Sequence, residues 1–290
     1  MTKKTTSAKK TSTTHSITQL EELSWKQIDS FDKDKTIVFI PISPLEEHGP
    51  HLPVGTDFLI AKDAAKEAIK KLHEQDSSLT PALYPPLPLG FSKIAADFPG
   101  TVSVSSRAIR DVIHGVCTSL GKHGFRYILI CTYHMDLGHL KGIYAGMKKA
   151  MKQYPLNIYE PQGPYHFSKQ VEQREPKLGF DTTKEVHAGF RETSLMKYQY
   201  PYLVDPEHKN LQSIYMDLYS PKVLGKTFQD LGLHGGYVGS PARADSDYGR
   251  WLFQDTVDLY VRSALGLIKG DELPSLPKST QRVMKSLFWL

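Results

Sequence analysis

The sequence predicts an α/β fold with a largely parallel sheet covered by helices. Two observations predict it. Short apolar runs rich in β-branched residues alternate with stretches of helical spacing. The connections between them are also long enough to be crossover helices rather than hairpin turns.

The elements follow in order. Thr36 to Ile42 reads TIVFIPI, a run suited to a strand buried on both faces. Residues 58–71 carry Ile60, Ala61, Ala64, Ala65, Ala68 and Ile69 at helical spacing. Residues 80–100 are rich in Pro and Gly and read as an irregular connection. Ser105 or Ser106 can cap a helix whose apolar set is Ile109, Val112, Ile113, Val116, Cys117 and Leu120. Arg126 to Thr132, RYILICT, predicts a second buried strand. Leu140, Ile143, Tyr144, Met147, Ala150 and Met151 predict a helix over 138–152, which Pro155 stops. Leu156 to Tyr159 reads as a short strand. Residues 160–186 are polar and read as a surface excursion, and helical patterns return over 192–204 and 247–268.

Composition narrows the function. The chain has 290 residues, 40% hydrophobic and 23% charged, enough for an ordinary core. Residues 1–18 form a Lys/Thr/Ser-rich segment expected to be flexible, 19–275 one folded domain, and 276–290 a C-terminal extension. The net charge is +5, but Lys3, Lys4, Lys9 and Lys10 lie in the tail, so no basic face argues for nucleic acid. No apolar run approaches the ~20 residues that span a bilayer, and no secretory h-region is present. Cys117 and Cys131 are the only cysteines. A reducing, cytoplasmic setting and a small-molecule substrate are expected.

Chemistry concentrates after the two buried strands. Glu46, Glu47, His48, His51 and Asp57 follow the first. Sites in open parallel sheets form beyond the carboxyl ends of strands. Carboxylates with imidazoles suit zinc, manganese or iron. Glu46 and His48 are two apart and would point the same way from an extended segment. Asp57 opens the next helix, where its two oxygens could bridge two ions about 3.5–4 Å apart. His134 stands just past the second strand, with Asp136 as a ligand or a helix cap. His187 is a candidate proton carrier, because imidazole titrates near pH 6.5. Glu192 could be a ligand, a base or a dipole partner of its helix. Phe98-Pro99-Gly100-Thr101 is a turn that could wall a site.

These residues together resemble the creatininase (creatinine amidohydrolase) family. The resemblance rests on Leu45-Glu46-Glu47-His48-Gly49-Pro50-His51-Leu52-Pro53 with Thr56-Asp57, on Phe98 to Thr101, on His187-Ala188-Gly189 with Glu192-Thr193-Ser194, and on Gly239 to Ala244. The motifs occur in family order over roughly residues 36–250. The resemblance implies a three-layer α/β/α sandwich and two divalent metal ions per chain, zinc paired with zinc, manganese or iron. It implies Glu46, His48, Asp57 and His134 as ligands, with Asp57 the bridge. His187 falls at the family's catalytic or substrate-binding histidine, Glu47 is a candidate support beside the ligands, and a homo-oligomer, often a hexamer, is expected. The implied activity is metal-dependent hydrolysis of a C–N bond in a small or cyclic amide. Formamide deformylation and small-peptide amidase activity are alternatives on the same site, and a metal-binding scaffold is the alternative from another class. Two departures stand out. Met135-Asp136-Leu137 replaces the common Gly-Gly-Asn, which leaves the fifth ligand open between Asp136 and Glu192. Ala95 and Ala96 stand where many members carry a histidine. The tryptophans are Trp25, Trp251 and Trp289, none in the segment before His187 where creatininase proper uses them.

Overall fold

The computed structural model describes residues 17–223 and 225–287. Residues 1–16, most of the Lys/Thr/Ser-rich segment, therefore lie outside the described residues, as do 288–290. Five parallel strands form the sheet in the order β1-β3-β2-β4-β5: β1 (Thr18–Gln19), β2 (Thr36–Pro41), β3 (Thr80–Leu83), β4 (Tyr127–Cys131) and β5 (Asn157–Tyr159). Thr18, assigned by sequence to the tail, instead pairs with Ala82, and β3 lies within the stretch read as an irregular connection.

The alternation of β2 explains the layers. Ile37 and Phe39 join one apolar cluster and Val38 and Ile40 the other, because successive side chains leave opposite faces. On the first face lie α2 (Thr56–Gln75), α7 (Phe190–Gln199) and α8 (Ser246–Lys269). On the second lie α3 (Ser106–Lys122) and α4 (Leu137–Gln153). This is the expected three-layer sandwich. Burying each Ile, Leu or Phe of these faces contributes about 1.5–3 kcal/mol, which is what orders such short strands. A capped single turn, α1 (Trp25–Asp29), precedes β2.

Residues 160–186 differ from their reading as a surface excursion. They hold α5 (Gln162–Phe167) and α6 (Gln170–Arg174), and Glu160, Gln162 and Tyr165 are buried. The chain ends in α9 (Lys278–Ser286), which packs Met284 against Leu140 and Leu276.

The strand order creates the position for a site. From β2 the chain runs to β3 on one side, and from β4 to β5 on the other. The carboxyl ends of neighbours β2 and β4 thus flank a topological switch point, where open α/β sheets leave a crevice.

Glycine lets α4 approach α3 closely. A Cβ at Gly146 would lie 2.7 Å from the Arg110 carbonyl and 2.8 Å from Ile113 Cβ, whereas one at Gly115 would meet nothing within 4 Å. Gly115→Ala should therefore stabilise the protein by about 0.5–1 kcal/mol through helix propensity. Gly146→Ala gains the same propensity but must part α3 from α4, and should lose about 1–3 kcal/mol net. Urea unfolding of both variants checks the contrast; equal stabilisation would mean the two helices are not in backbone contact.

Candidate active site

Residues 42–57 leave β2 and turn back into α2. Thr56 and Asp57 open that helix, and Asp57 is 1% exposed. Residues 132–136 leave β4 and enter α4. The third contributor is the bend at 187–189, which opens α7. There Ala188 adopts φ +50° and its N–H donates to Glu192 Oε2. A non-glycine residue in the left-handed region is strained, and such strain gathers at functional sites.

The three segments bring Glu46, His48, Asp57, His134, His187 and Glu192 together. His134 Nδ1 lies 3.0 Å from Asp57 Oδ2 and 3.0 Å from Glu46 Oε2. His48 Nε2 lies 3.3 Å from Asp57 Oδ1 and 3.8 Å from Glu192 Oε2. Three sets of these residues have ligand atoms close enough to share a metal ion: Glu46, Asp57 and His134; His48, Asp57 and Glu192; and Glu46, His48 and His187. Asp57 belongs to the first two, through different oxygens.

Each imidazole has one nitrogen engaged elsewhere. His134 Nε2 lies 2.9 Å from the Phe91 carbonyl, His48 Nδ1 3.0 Å from the Glu46 carbonyl, and His187 Nε2 2.9 Å from the Glu47 carbonyl. A backbone carbonyl accepts from an N–H, so the opposite nitrogen is left to act as a lone-pair donor, the usual arrangement around a metal. Ser92 Oγ donates to Glu46 Oε1 at 2.5 Å and orients that carboxylate. Phe91 and Ser92 carried no sequence signal, since a main-chain carbonyl and a lone serine look alike in any loop.

Glu47 lies beside this group. Its Oε2 accepts the Gly49 N–H at 2.9 Å and its Oε1 lies 3.4 Å from His187 Nε2. Gly236, at φ +64°, makes room for it: a Cβ there would sit 2.1 Å from Glu47 Oε2. Thr101, in the Phe-Pro-Gly-Thr turn, accepts the Glu47 N–H at 2.9 Å.

Asp136 and His51 are not drawn into these sets among the described residues. Asp136 is the N-cap of α4, where its Oδ1 accepts from Gly138 N at 2.6 Å and from His139 N at 3.2 Å. His51 Nε2 pairs with Thr193 Oγ1 at 2.8 Å and ties the 46–53 loop to α7.

The electrostatics of the cluster are strained without a cation. Burial opposes ionisation of Glu46, but His134, His187 and His48 outweigh it and hold the carboxyl at about 2. Burial likewise opposes charge on His48, yet Asp57 and Glu192 raise it to about 10. His134 is raised well above the ordinary range against its burial, by Glu46 and Asp57. Burial and the neighbouring Asp57 push Glu192 up. The carboxylates that favour positive charge on these imidazoles would favour a cation in its place. Glu46 Oε2, His48 Nε2 and Asp57 Oδ1 are buried and complete no hydrogen bond. Buried polar atoms left this way cost about 1–3 kcal/mol each, and divalent ions held by these sets would satisfy them. The donor set of oxygen and imidazole nitrogen fits zinc, manganese or iron.

A cavity of about 280 Å³ opens onto Glu46, Asp57, His134, His187 and Glu192. Such clefts, largely apolar with a few convergent polar groups, are typical of small-molecule sites.

The chain is similar to known proteins. The family described as Creatininase: Creatinine amidohydrolase matches residues 21–264. The mycofactocin precursor peptide peptidase of Mycobacterium ulcerans (strain Agy99) is 35% identical over 230 residues, 76% of this chain and 81% of that protein. The creatinine amidohydrolase of Pseudomonas putida is 25% identical over 205 residues, 63% of this chain and 72% of that protein. A solved structure described as creatininase Mn has a TM-score of 0.67 at 21% identity, over 86% of this chain and 97% of that one. A crystal structure of creatinine amidohydrolase also scores 0.67, at 22% identity over the same shares. The family match covers β2 to β5, both helical layers as far as residue 264 and every segment that builds the site, and the chain belongs to the creatininase family.

Proposed function

We propose that this protein is an amidohydrolase that holds two divalent metal ions, with Asp57 between them, and cleaves a C–N bond in a small amide. The observation that carries the reading is the sharing of Asp57 by two ligand sets, one completed by Glu46 and His134 and the other by His48 and Glu192. In this reading Glu192 supplies the fifth ligand and Asp136 caps α4. Two ions held there would lower the pKa of a water molecule and polarise the amide carbonyl.

The residues around them do the rest. His187 reaches the cavity and is steadied by Glu47 through both a carbonyl and a carboxylate oxygen. From there it can hold a proton and deliver it to the leaving nitrogen. The Phe91 and Glu46 carbonyls hold the imidazoles of His134 and His48, and Ser92 holds the Glu46 carboxylate, so the ligands need little rearrangement to bind metal. A peptide-like amide suits the site better than a compact cyclic one. The cavity of about 280 Å³ presents apolar side chains such as Phe91, Tyr165 and Leu218 beside the polar cluster, and the 35% identical relative is a precursor peptide peptidase.

Metal content tests the ligand assignment. The purified protein, loaded with zinc or manganese and then dialysed, should hold two ions per chain. Asp57→Ala should hold none and lose activity. Glu192→Ala should fall to about one ion. Asp136→Ala should keep both and cost only about 1 kcal/mol of stability, the worth of a helix cap. Loss of metal in Asp136→Ala with retention in Glu192→Ala would reverse the assignment.

His187→Ala separates proton transfer from ligation. It should keep both ions and lower kcat by about 10²–10⁴-fold. Loss of an ion would instead place His187 in the ligand set with Glu46 and His48.

A further inference from the structure

We infer that α9 forms a substrate-selective wall of the active-site cavity and that this wall selects amides carrying a bulky apolar substituent. The inference rests on the amidohydrolase reading above and adds the class of substrate.

The family match ends at residue 264, and α9 lies beyond it. Its sequence is nevertheless built for a fixed position. Leu276, Met284 and Leu287 are buried, at 4%, 8% and 3% exposure, while Lys278, Arg282 and Lys285 point away from the core. Met284 and Leu276 pack on Leu140 of α4. Gln281 Nε2 donates to the Leu276 carbonyl at 2.7 Å and closes the first turn, and Lys141 Nζ donates to the Leu287 carbonyl. The helix is thus anchored to α4, whose first residues follow the ligand His134.

That anchoring sets the place of Val283, next to the anchor Met284 on α9, while Leu287 follows the helix's last residue. Both line the same cavity as Glu46, Asp57, His134 and His187. Val283 is 38% exposed, and part of the surface it exposes is cavity wall. Met135 and Leu137, which flank the cap Asp136, extend the apolar surface toward His134. Apolar residues from α9 and from the segment that enters α4 therefore meet in one wall. A compact polar substrate would leave that wall wet, whereas an apolar substituent would cover it.

The test uses the full chain, loaded with metal, and a matched pair of probes, N-acetyl-phenylalanine amide and N-acetyl-glycine amide. Val283→Asp places a charge on the wall without touching a ligand or a core contact. It should lower kcat/KM for the phenylalanine amide by about tenfold, mainly through KM, and leave that for the glycine amide within about twofold. Val283→Leu should retain the preference. Both variants should keep the metal content of the parent. Calorimetric binding of the same two amides separates the two ideas. If the parent binds the phenylalanine amide more tightly, loses that preference in Val283→Asp and cleaves neither probe, the hydrolytic reading fails and the wall stands. If binding and cleavage of both amides are indifferent to Val283, or fall equally, the wall assignment is overturned.

Discussion

Asp57 is a carboxylate almost sealed from solvent, with one oxygen turned to His134 and the other to His48. An isolated buried carboxylate would be neutralised rather than tolerated, because its desolvation costs several kcal/mol. Its retention at the first turn of α2 requires compensating positive charge on both sides. Protons on the imidazoles supply that charge in part, and divalent ions would supply it fully. The placement of β2, β4 and the bend before α7 follows from the need to bring those partners to one carboxylate.

The fold meets this need with rigid parts. β2 and β4 are adjacent, parallel and buried on both faces, so the residues just beyond their ends emerge side by side. A further carboxylate of the site, Glu192, comes from α7, which packs on α8 across the first face. His51 and Thr193 tie α7 to the loop that carries Glu46 and His48. The strained Ala188 is held at the same junction, where loop, helix and carboxylate meet. A substrate entering the cavity therefore meets groups whose positions are set before it arrives, which lowers the reorganisation that binding and reaction demand.

Much of this was legible in the sequence, for reasons that can be named. Ile37 to Ile40 and Ile128 to Cys131 are apolar on both faces, and runs of this kind have few alternatives to a central parallel strand. Glu46, His48 and Asp57 fall within twelve residues of one another, so their convergence is a local matter. Other features were hidden. β3 contains Pro81, which argues against a strand in an interior position. It is accommodated because β1, among the described residues, pairs beside Ala82 and Leu83 only. Residues 160–186 are polar, yet Glu160 is buried beneath the N–H groups of Gln162 and Gly163 and the Tyr144 hydroxyl, while Arg191 pairs with Glu172 and Glu175. Composition cannot distinguish charges that face water from charges that face partners distant in sequence. Asp136 was ambiguous for a similar reason. An Asp between a strand and a helix satisfies the requirements of a cap and of a ligand equally, and only the direction of its oxygens separates them.

The central claim is that Asp57 joins two metal positions. Crystals of the metal-loaded protein, measured at the absorption edge of zinc or manganese, test it most directly. The account predicts two anomalous peaks per chain about 3.5–4 Å apart, one on each side of the Asp57 carboxylate, the first beside Glu46 and His134 and the second beside His48 and Glu192. A single peak, or a pair in which only one contacts Asp57, would contradict it.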